Sequence, residues 1–198
     1  MDSGEVKGLA PIRLAELLRR NRSYRRFHQD PIAEKTLREL VELTRLCPSA
    51  ANKQPLKYML AWTPEQNAKI FPHLRWAAAL APWPGPAEGE RPTAYIVVLG
   101  DSRIWRRWDW DAGIMGQSML LGATERGLGG CMVASIDQAG LRAALQLPEH
   151  LEVVLVVALG RPSETVVLED GSPDAKPYWR DAQSVHHVPK RPLEELIV

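Results

Sequence analysis

The 198-residue chain predicts an α+β fold, with helices gathered around one sheet. Three observations carry that prediction. The composition is globular, 45% hydrophobic and 25% charged, and the length suits one domain over residues 1–198, or a subunit that completes its core by dimerising. Segments with apolar residues at helical spacing are interspersed with short apolar runs of strand length. The clearest of these runs, LEVVLVVALG (151–160), lies between Glu149-His150 and Gly160-Arg161-Pro162 and reads as a buried strand.

The elements follow in order. Residues 11–20 (PIRLAELLRR) begin with proline at a first helical position and set Ile12, Leu14, Leu17 and Leu18 on roughly one face. PIAEKTLRELVELTRL then repeats the pattern with Leu37, Leu40, Val41 and Leu46, which predicts a second helix to about Leu46, ended by Pro48. PLKYMLAW (55–62) has strand character, and Thr63 followed by PEQ caps a short helix. Residues 72–92 hold five prolines with Trp76 and Trp83, and read either as a lid or binding wall or as a loop pinned by its own tryptophans. TAYIVVLGD (93–101) is a buried strand. Asp109 to Arg126 is the longest helix, closed by Gly127, with Trp105, Trp108 and Trp110 anchoring its start and Met115 and Met119 in the core. CMVAS (131–135) is a short extended segment in which Cys131 is a small buried hydrophobe, and Asp137 caps a helix over 138–146. The polar, turn-rich segment 163–190 is expected to run over the surface.

Charge narrows the function. A formal net charge of +1 and a pI near 7.8 argue against a chain built to bind polyanions. Yet five arginines (19, 20, 22, 25 and 26) crowd the stretch around NRSYRRF (21–27), which can be a nucleic-acid contact, a solvated face or an anion site. Cys47 and Cys131 form neither a CxxC nor a zinc spacing, the N-terminus is too polar for a signal peptide, and no run approaches a transmembrane length. A reduced cytoplasmic protein with no membrane, nucleic-acid or metal partner is expected.

Three further stretches bear chemistry. CPSAANKQPLKY (47–58) places small residues with Ser49 and Asn52 between a helix and a strand, where a flat ligand could approach the backbone. Gly113, Gly116 and Gly122 sit inside the long helix at about 1 kcal/mol each against alanine, so a helix or ligand is expected to approach that face closely. HHVPKRPLEEL (186–196) adds a second basic pair, Lys190 and Arg191, and its adjacent histidines would point to opposite faces of a strand. A GxGxxG fingerprint, a P-loop and a GxSxG elbow are all missing from the sequence.

Taken together, these segments resemble the FMN-dependent nitroreductase family. NRSYRRF is similar to that family's RRSxRxF opening, PSAANKQPLKY to its PSxxNxQPW segment, Asp111–Asp137 to its central helix and following turn, ALGRP (158–162) to its late strand, and HHVPKR to its C-terminal basic motif. The resemblance implies a central antiparallel sheet wrapped by helices, an intertwined homodimer and an FMN site at the subunit interface. Carried over by position, it implies that Arg22 and Ser23 hold the phosphate end and that Arg25 lies near the N1/O2 edge of the ring. Pro48, Ser49, Ala50 and Asn52 would meet the ring and ribityl chain, commonly from the partner subunit. Gln117 would lie near the ribityl chain, Ala134 and Ser135 would face N5, and Lys190 and Arg191 would complete the phosphate clamp. Arg19, Arg20 and Arg26 are left to solvent or ion pairs, and Phe27 closes the motif against the core.

The implied chemistry is a ping-pong transfer from NAD(P)H to a nitroaromatic, quinone or related acceptor, with no catalytic side chain of the protein's own. A flavin carrier or sensor without turnover, or a reductive dehalogenase, would share the motifs. Three positions depart from the family pattern. Asn21 stands where it has arginine, Leu56 where it has tryptophan, and Ala134 where some members have glutamate.

Overall fold

The computed structural model describes residues 13–80, 82–174 and 176–198. Pro11 and Ile12, expected at the start of the first helix, and the polar N-terminal stretch before them lie outside the described residues. The elements are α1 (Leu14–Arg20), β1 (Phe27–His28), α2 (Glu34–Arg45), β2 (Leu56–Ala61), α3 (Pro64–Ile70), β3 (Ala94–Asp101), α4 (Asp109–Glu125), β4 (Gly129–Val133), α5 (Gln138–Leu145), β5 (Leu151–Pro162), β6 (Val166–Asp170), β7 (Trp179–Arg180) and β8 (His186–Lys190).

β5 is the spine. It pairs with β3, β4 and β1, β2 pairs with β3, and every one of these pairings is antiparallel. The period of two along a strand then divides the core. Ala94, Ile96 and Val98 of β3 pack with α2 and α4 through Leu37, Leu40, Met115 and Met119. Tyr95, Val97 and Leu99 face the opposite layer, with Ile70 of α3 and Leu141 of α5. A sheet apolar on both faces needs cover on both sides, and the four helices supply it.

The helix boundaries follow local chemistry. Thr63 and Gln66 form a capping box at α3, and the Asp137 carboxylate accepts the Gly140 N–H at 3.1 Å to cap α5. Two glycines of α4 find their partners within the chain. A Cβ on Gly122 would strike Leu43 and Leu40 of α2, and one on Gly116 would strike Met132 of β4. Among the described residues, nothing comes within 4 Å of a Cβ placed on Gly113. Trp108 anchors the start of α4 against Gly100, but Trp110 is 83% exposed and anchors nothing. Trp76 and Phe71 pin the proline-rich loop from within, with ring centroids 5.8 Å apart.

Residues 163–190 do more than traverse the surface. β6 pairs with β8 in parallel and β7 with β8 in antiparallel, making a second sheet of three short strands. Among the described residues, no helix is long and apolar enough to cross a membrane.

Candidate functional site

The NRSYRRF segment leaves α1 and lies extended beside the main sheet. Asn21 is buried, and its N–H closes α1 by donating to the Leu17 carbonyl at 2.9 Å. Ser23 bridges Gly130 of β4, and the Tyr24 N–H donates to the Gly130 carbonyl at 3.0 Å. Glycine is required at 129 because a Cβ there would meet the Tyr24 ring and Pro162. Phe27, fully buried, closes the segment against Gly160 as its position predicts. A carboxylate from far along the chain fixes the far end. The side chain of Glu164 is 2% exposed, and it accepts the N–H of Arg25 at 2.5 Å and of Arg26 at 3.2 Å.

This placement walls a cavity of about 290 Å³. Asn21, Arg22 and Ser23 form one side, Gln117 and Leu120 of α4 another, Met132 of β4 a third, and Val166, Val188 and Lys190 of the small sheet a fourth. Two cations from opposite ends of the chain therefore share one recess. Arg22 donates to the Leu18 carbonyl at 2.7 Å, while its buried Nε has no hydrogen-bond partner among the described residues. Burial lowers the pKa of Arg22, yet a guanidinium remains charged at any physiological pH. A recess with Arg22, Ser23 and Lys190 in its wall, one of them with an unsatisfied buried donor, fits an oxyanion.

The other expected residues lie elsewhere. Arg25 sets its guanidinium over the Tyr178 ring at 5.3 Å and donates to the Ser23 carbonyl at 3.3 Å. Arg191 is engaged by Asp174, by Glu195 at 3.2 Å and by the Ser172 hydroxyl at 3.3 Å, and the two carboxylates, Asp174 first, raise its pKa. Arg191 does not line the cavity that Lys190 lines. Ala134 and Ser135 follow the end of the β4–β5 ladder at Val133–Val156, are exposed, and are tied to the loop at 74–75 by the Arg75 N–H, which donates to the Ser135 carbonyl at 3.0 Å.

The Pro48–Asn52 segment is anchored on α4 at a different point. The Ser49 hydroxyl donates to Asp111 Oδ2 at 2.5 Å and the Ala50 N–H to Asp111 Oδ1 at 3.0 Å. Ser49 Oγ in turn accepts the Gln54 N–H at 2.9 Å. Asp111 is buried, six positions before Gln117, so the two lie roughly 9 Å apart along the axis and about 120° around it. Ala51, Asn52 and Gln54 take left-handed φ values of 49°, 52° and 51°, unfavourable by about 1–2 kcal/mol each for residues with a Cβ. The chain thus holds a strained loop with Pro48, Ala51 and Asn52 exposed, anchored at Ser49 and Ala50 on Asp111.

Sequence reasoning missed the apolar wall of the cavity. Met132 was visible only as part of a strand, and Val166 and Val188 sit in strands too short and polar to stand out.

Fold and site define an α+β protein with an oxyanion recess assembled from both ends of its chain. The particular family is set by comparison: the sequence model of the Nitroreductase family matches residues 18–161, and the chain belongs to that family. A relative from Thermus thermophilus, described as an NADH dehydrogenase, is 29% identical over 178 residues, covering 73% of this chain and 84% of its own. Among solved structures, a nitroreductase family protein from Clostridium difficile 630 superposes with a TM-score of 0.69 at 22% identity, covering 94% of this chain and 98% of its own. A Desulfovibrio desulfuricans protein described as a nitroreductase, in complex with FMN, gives a TM-score of 0.69 at 23% identity, covering 96% of this chain and 97% of its own. The antiparallel core expected from the sequence is the fold these structures share.

Proposed function

We propose that the chain is an FMN-dependent NAD(P)H oxidoreductase of the cytoplasm, acting as a homodimer on nitroaromatic, quinone or related conjugated acceptors. One observation carries the reading most of the way. Arg22, Ser23 and Lys190 converge on one recess in a chain of the Nitroreductase family, and a phosphate dianion needs several charge-assisted donors of that kind. The FMN complex of the Desulfovibrio protein and the NADH dehydrogenase description of the Thermus relative agree with it.

FMN bound there would supply hydride chemistry at its N5, so the protein needs no acid–base triad. The protein's share is binding, orientation and charge. Arg22 and Lys190 hold the phosphate, and Ser23 adds a hydroxyl donor. Gln117 offers an amide to the ribityl hydroxyls. Among the described residues no carboxylate pairs with the Arg25 guanidinium, so its charge is available to an electron-rich ring edge. The strained Pro48–Asn52 loop, held by Asp111, is read as the contribution to the site of a second copy of the chain. Its Pro48, Ala51 and Asn52 are exposed, and its Ser49 lock fixes it before any partner arrives.

The test is direct. Purified protein is expected to be yellow with flavin absorbance, and anaerobic NADH or NADPH is expected to bleach it. A protein that refuses added FMN would sink the reading, and one that holds FMN without bleaching would be a carrier or sensor.

A further inference from the structure

A second cavity, of about 360 Å³, lies where the small sheet meets the proline-rich loop. Its wall includes three cations, Arg26, Lys176 and Arg180, and two indoles, Trp83 and Trp179. The Arg180 guanidinium lies 4.2 Å from the Trp83 ring centroid and that of Arg26 5.9 Å from it, while Lys176 Nζ lies 5.0 Å from the Trp179 ring.

The cations outnumber their carboxylates. Glu164 pairs with Arg180 at 2.7 Å and already accepts the N–H groups of Arg25 and Arg26. Glu90 stands 3.4 Å from Arg26 Nε without making a hydrogen bond. Among the described residues, Lys176 has no carboxylate within ion-pair distance. The buried Nε of Arg180 has no partner either. Burial is the main cause that lowers the pKa of Arg180, and Glu164 opposes it through its charge and hydrogen bond. The smaller fields of Arg26 and Arg25 lower it further, a repulsion that a bound anion would relieve.

Its position ties it to the reaction. The proline-rich loop begins against the turn proposed to face flavin N5, with Leu74 bridging Ile136 and the Arg75 N–H on the Ser135 carbonyl. It continues to Ala79, whose N–H donates to the Tyr178 hydroxyl at 3.4 Å, and to Trp83 in the cavity wall. On the other side, the β6–β8–β7 sheet carries Val166, Val188 and Lys190 to the first cavity and Trp179 and Arg180 to the second, with β7 one strand spacing of about 4.8 Å from β8.

We propose that this cavity is an anion subsite for one of the two substrates of the reaction, in which Arg26, Lys176 and Arg180 hold an oxyanion borne by the reacting molecule while Trp83 and Trp179 wall its apolar body. The inference rests on the oxidoreductase reading and deepens it. The oxyanion can be a carboxylate on the acceptor or the 2′-phosphate of NADPH, and the two sources separate in one experiment.

Lys176 is exposed, so Lys176→Glu reverses a charge without disturbing the core. FMN-loaded wild type and variant are compared on 4-nitrobenzoate against 4-nitrobenzamide with NADH, and on NADPH against NADH with the neutral amide. The variant is expected to raise KM about tenfold for 4-nitrobenzoate or for NADPH, leaving the member of that pair that lacks the oxyanion (4-nitrobenzamide or NADH) within twofold and kcat unchanged. A response in the benzoate pair assigns the oxyanion to the acceptor, and one in the NADPH pair assigns it to the dinucleotide. Equal changes for all four substrates, or none, would overturn the proposal. Calorimetric titration with 4-nitrobenzoate and with adenosine 2′-monophosphate reads the cavity without turnover. Salt-sensitive binding lost in Lys176→Glu upholds the subsite even if the flavin is never bleached, whereas no binding of either probe counts against it.

Discussion

Arg22 and Lys190 are separated by 168 positions, counting from 22 to 190, yet they face the same recess. A hydrogen bond to a charged group contributes about 1.5–3 kcal/mol, so Arg22→Ala and Lys190→Ala should each weaken FMN binding by roughly 10- to 100-fold, read by the quenching of flavin fluorescence on titration. Arg191→Ala should change that affinity less than threefold, because Asp174 and Glu195 hold its fork away from the cavity. The meeting of Arg22, Ser23 and Lys190 was legible in the sequence because a basic motif stands near each end of the chain, the first of them with a serine hydroxyl beside its arginines. The engagement of Arg191 was not legible, since its main partner lies 17 residues earlier, across turns that no periodicity announces. The charged cavity around Trp83 was hidden for the same reason, its wall being drawn from residues 26, 83, 176, 179 and 180.

At the scale of the element, β8 carries two adjacent histidines whose environments differ sharply. His187 Nδ1 lies 2.5 Å from Glu169 and Nε2 3.2 Å from Asp181, its ring stacked on Trp179 at 5.1 Å. Those carboxylates, Glu169 first, raise its pKa above 6.5. A raised base stabilises the fold fully below its unfolded pKa, and that contribution fades as pH rises through the folded value. His186 is 1% exposed with no hydrogen-bond partner at either nitrogen among the described residues, and burial, followed by the field of Arg25, pushes it down to about 4. Its contribution is full above 6.5 and is lost as pH falls towards about 4. The two therefore favour the small sheet most in a band around pH 6.5. Thermal melts across pH 4–9 should show that maximum, with His187→Gln removing the alkaline decline and His186→Leu the acid one. Opposite faces for the pair were predictable from strand alternation, but the strand's partners were not. β6 and β7 are short and polar, and a parallel β6–β8 pairing leaves no hairpin turn to read. The helices and long strands were legible because capping residues and apolar period agree there, as at Thr63 and Asp137.

For the whole molecule, the two-faced sheet explains why one chain can bury its core and still present apolar surface. Leu14 and Leu18 lie one turn apart on α1, 64% and 42% exposed, and Trp110 and Ile114 one turn apart on α4, 83% and 40% exposed. Helices α1 and α4 pack together, and the Pro48–Asn52 loop is fixed to the same end of α4 as Trp110. A second copy covering this surface would bring its own loop to the recess. Trp110→Glu should then shift sedimentation from dimer towards monomer and weaken FMN binding by at least tenfold, while the isolated fold keeps its helical circular dichroism. A stable wild-type monomer that retains FMN would refute the shared site. The α+β class was legible at this scale because run length and apolar content settle it. The division of the recess between α4, the main sheet and the small sheet depends on contacts that composition and periodicity do not encode.

The small sheet also sets a timetable. A chain made from its N-terminus presents Arg22 early, but Lys190 follows only after about 10–30 s of synthesis at 5–20 residues per second. Until then the recess has one cation and one open side, and before residue 164 is made Glu164 cannot hold Arg25 and Arg26 in place. A nascent chain can therefore fold its first helices but cannot yet capture a phosphate. On the proposed reading, loading waits until both cations of the recess are in place.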